Sequence, residues 1–374
     1  MKLQISFRGQ SRLLAMVLAV LSLALVGLFA SASWVRGDAF LNDDPPHPCD
    51  DPQTEETIEE TCFNYLSAVR GTDWGNKWTR VGKPVTGIER FYSVAVCQDH
   101  LLAGSDRGVY SLTTPATDWT LTQQGITAAV TDVAFVPDDC DLAYAAILGH
   151  GVMRGEFANN TWVWERVDKD DQLNDARSIA IVGDSAATAG IYAAGNFGVK
   201  WLPALPDGPV TWERTTIESL TISLTPGNTL LATVWTSGVF QTSLGGWARL
   251  GSPGSPADTL VYRAAFDGSR GLVGTQSGAF LWENGDWQRI PSIIQTGFAV
   301  VMDSQALFVG QRIDGVVGSR DGGVTWYKVG KDLGGVGELT FQVRDLYIHT
   351  DGTLYAATTT GVWKWTEPQS PVDR

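Results

Sequence analysis

The sequence predicts an all-β protein, a seven-bladed β-propeller made of four-stranded blades. Three observations predict this fold. A phrase of β-type residues interrupted by a glycine occurs seven times, a tryptophan follows six of the seven copies, and the phrase that the last copy lacks stands ahead of the first. Units of this kind, with glycine-rich turns and no helical periodicity, are typical of propeller blades.

The repeated glycine marks one point in every unit. Its copies are 37 to 47 residues apart, about 42 on average, which is the length of a four-stranded blade. We expect it where a tight turn leads into the third strand, because such turns often need a positive φ. The seven glycines are Gly108, Gly151, Gly198, Gly238, Gly278, Gly315 and Gly361.

The tryptophans predict how the ring closes. Five of the six that follow a glycine open a phrase such as WERV or WQRI, and WTRV at Trp78 precedes the first unit. If this phrase is the outermost strand, the strand at Trp78 completes the last blade and removes an exposed sheet edge. The tryptophans are then expected to fill the gaps between blades; they are Trp119, Trp164, Trp212, Trp247, Trp287 and Trp326.

The second unit illustrates the strand order. We expect its inner strand at Thr131–Val136, its second strand at Leu142–Ile147, its third at Gly151–Glu156 and its outer strand at Thr161–Val167. The turns between second and third strands and the connections between blades then share one face of the disc.

The N-terminal region predicts export. Residues 1–32 are typical of a signal peptide, since three basic residues precede an uncharged run and small residues follow it. The run is long enough to span a bilayer, so an uncleaved anchor is left open. Residues 33–70 are acidic and contain prolines, which predicts a solvated linker. The propeller is then 71–368, and 369–374 is a C-terminal tail.

Charge and cysteine content limit the partners. The formal charge is −14, which disfavours a phosphate-binding surface, so no nucleic-acid partner is expected. Four cysteines and four histidines leave little room for a structural metal site, and none is predicted. An exported chain keeps disulfides, and four cysteines allow three connectivities. We favour Cys49–Cys62 within the linker and Cys97–Cys140, because the latter two occupy one position in adjacent units.

One short motif points to a known group of propellers. The segment SRDGGVTW contains Ser319, Asp321, Gly323 and Trp326 at the spacing of the Asp-box, the BNR repeat of the sialidase-like superfamily. The whole repeat region resembles seven-bladed Asp-box propellers, including sortilin-type and photosystem II assembly-factor-like domains. The resemblance implies that the serine and aspartate bond the turn's own backbone while the tryptophan packs beneath, so these residues are expected to be structural.

A search for catalytic groups finds none. Sialidases of that superfamily use an arginine triad, and Arg107, Arg312 and Arg344 lack its motif context. Glycosidases need two carboxylates on either side of the sugar bond. Asp106 and Asp314 lie in different turns, and nothing in the sequence pairs them.

Calcium is the one cofactor with any support. The run from Asp168 to Asp175 has side-chain oxygens at alternate positions, but it lacks the glycine and the glutamate of an EF-hand. An irregular Ca²⁺ site is therefore possible there, and no other cofactor is expected.

The function predicted from these observations is that of an exported, monomeric, non-enzymatic propeller. It would bind a protein or polysaccharide at the cell surface and meet a membrane only through an uncleaved N-terminal segment. Loops on a rigid scaffold are where binding residues concentrate. The alternative is a carbohydrate-active enzyme, a glycoside hydrolase or lyase that uses loop carboxylates. The predicted binding residues, arginines and ring side chains of one face, are Arg107, His150, Phe197, Trp235 and Arg312.

Overall fold

The structure is a computed structural model. It describes residues 74, 76–87, 90–122, 128–167, 173–182, 190–203, 221–225, 229–234, 237–243, 246–254 and 260–366, all within one compact unit, Thr61–Arg374. The predicted signal peptide, the whole predicted linker and the C-terminal tail lie outside these ranges. The described residues form strands and turns, and none of them forms a helix long and apolar enough to cross a membrane.

The strands alternate with short turns along the whole described chain. In chain order they are β1 (Thr79–Arg80), β2 (Phe91–Cys97), β3 (His100–Ser105), β4 (Gly108–Thr113), β5 (Thr120–Leu121), β6 (Val130–Val136), β7 (Asp139–Ile147), β8 (Gly151–Ala158), β9 (Thr161–Arg166), β10 (Ala176–Val182), β11 (Gly190–Gly195), β12 (Gly198–Pro203), β13 (Thr221–Leu224), β14 (Leu230–Val234), β15 (Gly238–Ser243), β16 (Gly246–Gly251), β17 (Val261–Phe266), β18 (Gly271–Thr275), β19 (Gly278–Glu283), β20 (Asp286–Arg289), β21 (Gly297–Met302), β22 (Leu307–Gln311), β23 (Val316–Ser319), β24 (Tyr327–Lys328), β25 (Val343–Ile348), β26 (Leu354–Thr358) and β27 (Gly361–Trp365).

The strands form seven antiparallel blades, as predicted. Blade one is β2–β5, and the following blades take consecutive strands up to β25–β27 in blade seven. In blade three the described residues supply the strands β10–β12, and Trp212 lies outside them. The inner strand of each blade lies against that of the next, and β25 lies against β2, so the ring is closed.

The closure follows the predicted route. Strand β1 pairs with β27 as the fourth strand of blade seven, with Arg80 opposite Trp363. Trp78, just before β1, is 3% exposed, and its Nε1 donates to the carbonyl of Val329 at 2.6 Å. One early strand therefore joins the two ends of the propeller, and the prediction is confirmed.

The core is divided among the gaps between blades. Seven apolar clusters of described residues occupy the seven gaps. Strand β26 shows why: Leu354 and Ala356 enter the cluster between blades six and seven, while Tyr355 and Ala357 enter the one between blades seven and one. Successive side chains of a strand point to opposite faces, and here both faces are buried.

The lower face carries the turns between first and second strands and those between third and fourth strands. Cys97 and Cys140 form a disulfide there, with their Cα atoms 5.3 Å apart. It joins blades one and two, as the repeat positions predicted. Cys49 and Cys62 lie outside the described residues.

The segment SRDGGVTW, which resembles an Asp-box, forms the lower-face turn between β23 and β24. Ser319 Oγ donates to Asp321 Oδ1 at 2.8 Å, and the amide of Gly323 donates to Ser319 Oγ at 2.8 Å. The amide of Thr325 donates to Asp321 Oδ1 at 2.9 Å, while Trp326 is 8% exposed. Partial desolvation opposes ionisation, but these hydrogen bonds lower the pKa of Asp321 to about 2.

Candidate functional site

The upper face carries the turns between second and third strands, and three of them share one construction. In blade five, Thr275 Oγ1 donates to the carbonyl of Gly278 at 3.0 Å and accepts the amide of Ser277 at 3.3 Å. Ser105 and Thr358 make the corresponding bonds in blades one and seven. In these blades the Ser or Thr that ends the second strand therefore stabilises the two-residue turn that follows, through hydrogen bonds to the turn's own backbone.

An outer-strand arginine supports several of these turns from the side. Arg289 Nη2 donates to the carbonyl of Ser277 at 2.7 Å, and Arg249 Nε donates to that of Ser237 at 2.9 Å. Arg80 donates likewise to the carbonyl of Thr360. These are the basic residues of the tryptophan phrase, which explains why that phrase repeats.

The turn of blade six, Arg312–Asp314, departs from this construction. Gln311 replaces the bracing Ser or Thr, and the turn is one residue longer. Its middle residue, Ile313, has φ +66°. The equally long turn of blade two has Gly149 at this point, with φ +76°. A β-branched residue in the left-handed region is strained, so the sequence of blade six is not the one that suits its backbone best.

Neighbouring segments hold Ile313 in this conformation. Its amide donates to the carbonyl of Phe341 at 3.0 Å, and its carbonyl accepts the amide of Gly337 at 2.9 Å. The amide of Arg312 donates to the carbonyl of Thr296 at 3.0 Å. The blade-six turn is thus fixed by the lead-in segments of blades six and seven.

Asp314 is the acidic group of this turn. Burial raises the pKa of its carboxyl to about 6, although the ammonium of Lys328 opposes the rise. Lys328 stands in the tryptophan phrase where other blades have arginine. A carboxyl with this pKa is protonated in part of the molecules near neutral pH.

Two glutamine side chains flank the turn. Gln295 is 9% exposed. Gln342 is half-buried, and its backbone forms an isolated antiparallel β-bridge with that of Arg312. The Oε1 atoms of both are buried and have no hydrogen-bond partner among the described residues. The same holds for Ser277 Oγ in the adjacent turn of blade five. Buried polar atoms are nearly always paired, so these three call for an explanation.

Aromatic rings and arginines lie at the beginnings of the inner strands. The guanidinium carbon of Arg344 lies 4.6 Å from the ring centroid of Phe298, and the rings of Phe298 and Tyr262 are 5.1 Å apart. Arg90, Arg344 and Asp106 act on Tyr92 nearby, whose pKa is raised chiefly by burial. Cations and aromatic rings therefore line this part of the upper face.

A charged cluster crosses the central channel below the upper face. Arg263 of blade five forms an ion pair with Asp345 of blade seven, and its Nη2 lies 3.9 Å from Asp132 Oδ1 of blade two. Ser93 Oγ and Ser178 Oγ donate to Asp132 at 3.2 Å and 2.7 Å. The cluster therefore connects five inner strands.

Local backbone irregularities aim these side chains at the axis. The inner-strand pairing shifts register immediately before Asp132, Arg263 and Asp345. A β-bulge of this kind redirects the following side chain. Burial and the nearby Asp132 carboxylate raise the pKa of Asp345 to about 6, while the Arg263 guanidinium opposes the rise.

The predicted binding residues are spread around the upper face. Arg107 is exposed in the turn of blade one, and His150 is half-buried in that of blade two. Phe197 packs partly against the cluster between blades two and three, with Lys200 Nζ 5.2 Å from its ring centroid. Arg312 lies in the blade-six turn, and Trp235 lies outside the described residues. The four described members therefore lie in the turns of four different blades, one, two, three and six.

The structure describes part of the groups considered for catalysis and for calcium. Lys328 is the charged group that acts on Asp314, and Asp106 lies in the turn of blade one. Within the described ranges, no three His, Cys, Asp or Glu side chains are placed to hold a metal ion. Residues 168–172 of the predicted calcium run lie outside the described residues. Of the remainder, Asn174 Oδ1 accepts a hydrogen bond from Arg166, and Asp175 forms an ion pair with Arg177.

Sequence reasoning missed the glutamines and the channel cluster. A signal for the cluster was present, because Asp132, Arg263 and Asp345 occupy the third position of three aligned inner strands. Polar residues recurring there indicate an axial position. The glutamines gave no comparable signal, since their importance depends on which atoms stay unpaired.

Comparison with known proteins places the fold. No family model matches the chain, and no curated protein matches it either. Among solved structures it is similar to the extracellular domain of a protein described as a hybrid two-component system, BT4673 of B. thetaiotaomicron, with TM-score 0.62, 11% identity and coverage of 79% of this chain and 40% of that one. The extracellular domain of BT3049, from the same organism, has a TM-score of 0.61 and 13% identity, with coverage of 77% of this chain and 41% of that one.

A WD40 domain shares the architecture as well. The Pan2 WD40 domain of Neurospora crassa gives TM-score 0.59 and 10% identity, with coverage of 79% of this chain and 97% of that one. The chain spans about two fifths of the length of the two bacterial structures. At identities of 10 to 13%, these similarities show the fold alone. The chain is a seven-bladed propeller, and some of the similar structures are extracellular domains.

Proposed function

We propose that this chain is an extracytoplasmic, non-enzymatic propeller that binds a protein or polysaccharide partner through its upper face, with the blade-six turn at the centre of the site. The strained Ile313 carries the proposal. Blade two shows that glycine serves in the same turn, and backbone strain that neighbouring contacts maintain is concentrated at functional sites.

Two observations support an extracytoplasmic location. The Cys97–Cys140 disulfide suits an oxidising compartment. Two of the similar structures are described as extracellular domains. Together with the signal-like residues 1–32, they favour a chain that works outside the cytoplasm.

The test compares two faces of one blade. The full chain, Arg312→Ala and Asp314→Asn would be screened against an array of glycans and extracellular proteins. Gln305→Ala, exposed in the lower-face turn of the same blade, is the matched control. We expect binding that both upper-face variants weaken and the control retains. Binding that survives both upper-face variants would overturn the proposal.

The second candidate is a carbohydrate-active enzyme, and the raised pKa of Asp314 favours it. Asp314 is partly protonated near neutral pH, and a glycosidase uses a carboxyl in this state as its general acid. Glycosidases also need a second carboxylate about 5 to 10 Å from the first. Release of reducing sugar from any glycan of the array, abolished in Asp314→Asn, would establish this candidate in place of the first.

A further inference from the structure

The unpaired polar atoms near the blade-six turn form a continuous arc. Thr296 Oγ1 donates to the carbonyl of Gln276 at 2.9 Å, which joins the blade-five turn to the lead-in of blade six. The bridge between Arg312 and Gln342 continues the arc to blade seven. Ser277, Gln295 and Gln342, three of the described side chains that have an unpaired buried atom, all belong to it. We call residues 276–277, 295–296, 312–314 and 342 the polar arc.

The chemistry of the polar arc matches hydroxyl groups. A glutamine amide has an acceptor and a donor end, and half a turn about its last bond exchanges them. A hydroxyl both donates and accepts, so it can pair with either end and with Ser277 Oγ. Arg312 contributes donors, and Asp314 contributes an acceptor or, when protonated, a donor.

Charge decides between neutral and charged ligands. The arc combines one guanidinium with one carboxyl, so it offers no strong field of either sign. The net charge of −14 opposes the approach of a polyanion. Arg312 and the neighbouring Arg344 oppose a cation.

We propose that the polar arc binds a neutral oligosaccharide, whose hydroxyl groups pair with Gln295, Gln342 and the blade-six turn. This rests on the proposed function, since it identifies the ligand of the same face. An array of hydroxyl donors and acceptors along an uncharged chain is the ligand that leaves the fewest polar atoms of the arc unpaired.

The experiment is a calorimetric titration of the full chain. The ligands are linear oligomers of glucose, mannose or xylose, with an oligogalacturonate as the anionic arm and an acidic peptide as the protein arm. We expect binding of at least one neutral oligomer, weakened about 10-fold or more by Gln342→Ala and by Gln295→Ala. Gln305→Ala, exposed in the lower-face turn of blade six, should bind as the unchanged chain does.

A second measurement guards against variants that fail to fold. Hydrogen exchange of the unchanged chain should slow at residues 311–315 and 341–344 when the neutral oligomer is added. Failure of every neutral oligomer to bind, or binding without protection of these residues, would overturn this inference. Binding of the uronate or the peptide alone, still dependent on Arg312, would overturn it as well but would leave the proposed function standing.

Discussion

At the scale of single residues, Asp321 shows how a recognisable motif stabilises a turn. Its carboxylate accepts bonds from the amide of Thr325 and from Ser319 Oγ, so the side chain replaces missing backbone partners. Such bonds each contribute about 1 kcal/mol net. The polar residues of the motif therefore have a sufficient explanation in the fold, and we assign them no part in ligand binding.

Replacing Asp321 by alanine should lower the free energy of unfolding by about 1 kcal/mol at pH 7, because the turn loses these acceptors. The folded pKa is depressed, so the contribution is present above about pH 4 and is lost as the pH falls towards 2. Denaturant unfolding at both pH values measures it. Asp118→Ala, which breaks an exposed ion pair with Lys83, should change stability by less than about 0.5 kcal/mol. Equal losses in the two variants would contradict this account.

At the scale of elements, the turns separate what sequence can predict from what it cannot. The repeated glycine, the strand order and the closing strand could all be predicted, because period and alternation reflect local geometry. The left-handed backbone at Ile313 could not, since bonds from Phe341 and Gly337 impose it against the residue's own preference. Phe197 illustrates the same limit, because its position in a turn did not reveal that it packs against two blades.

The repeated glycines give a prediction that depends on close approach. At Gly278, φ is +131° and an added Cβ would lie 2.1 Å from the carbonyl oxygen of Ile293. At Gly285, φ is +87° and no atom lies within 4 Å. Gly285→Ala should therefore cost about 1 kcal/mol of backbone strain, and Gly278→Ala about 3 kcal/mol or more. Thermal and denaturant unfolding compare the two. Similar costs would mean that backbone strain alone, without the contact to Ile293, accounts for the repeated glycine at this turn.

At the scale of the whole molecule, the ring depends on contacts that no local pattern specifies. Strand β1 closes the ring from outside, while Arg263 joins Asp132 and Asp345 across its centre. Each of these three residues is a buried or partly buried charged position at the third residue of an inner strand. The sequence could not predict their pairing, because the partners lie 82 and 131 residues from Arg263 in the chain. Only the arrangement of seven inner strands around one axis brings them together.

The channel cluster holds two carboxylates and one guanidinium in a buried place, which makes stability depend on pH. The folded pKa of Asp345 is raised to about 6 from 3.8, so the folded state keeps a proton that the unfolded state releases. Stability should therefore fall as the pH rises from about 4 to 6, by a contribution on the order of 3 kcal/mol, and then stay level. Asp345→Asn cannot ionise and should lose this dependence.

Denaturant unfolding between pH 4 and 8 tests this expectation. Asp314 titrates in the same range, so Asp314→Asn is the control that should retain the dependence contributed by Asp345. Arg263→Met leaves both carboxylates without their cation and should lower stability at pH 8 by about 3 to 5 kcal/mol. Because protonation relieves the repulsion that remains, this loss should shrink at pH 4. A loss that is independent of pH would show that Arg263 contributes through packing, and that the ion pairs across the channel add little to holding the blades together.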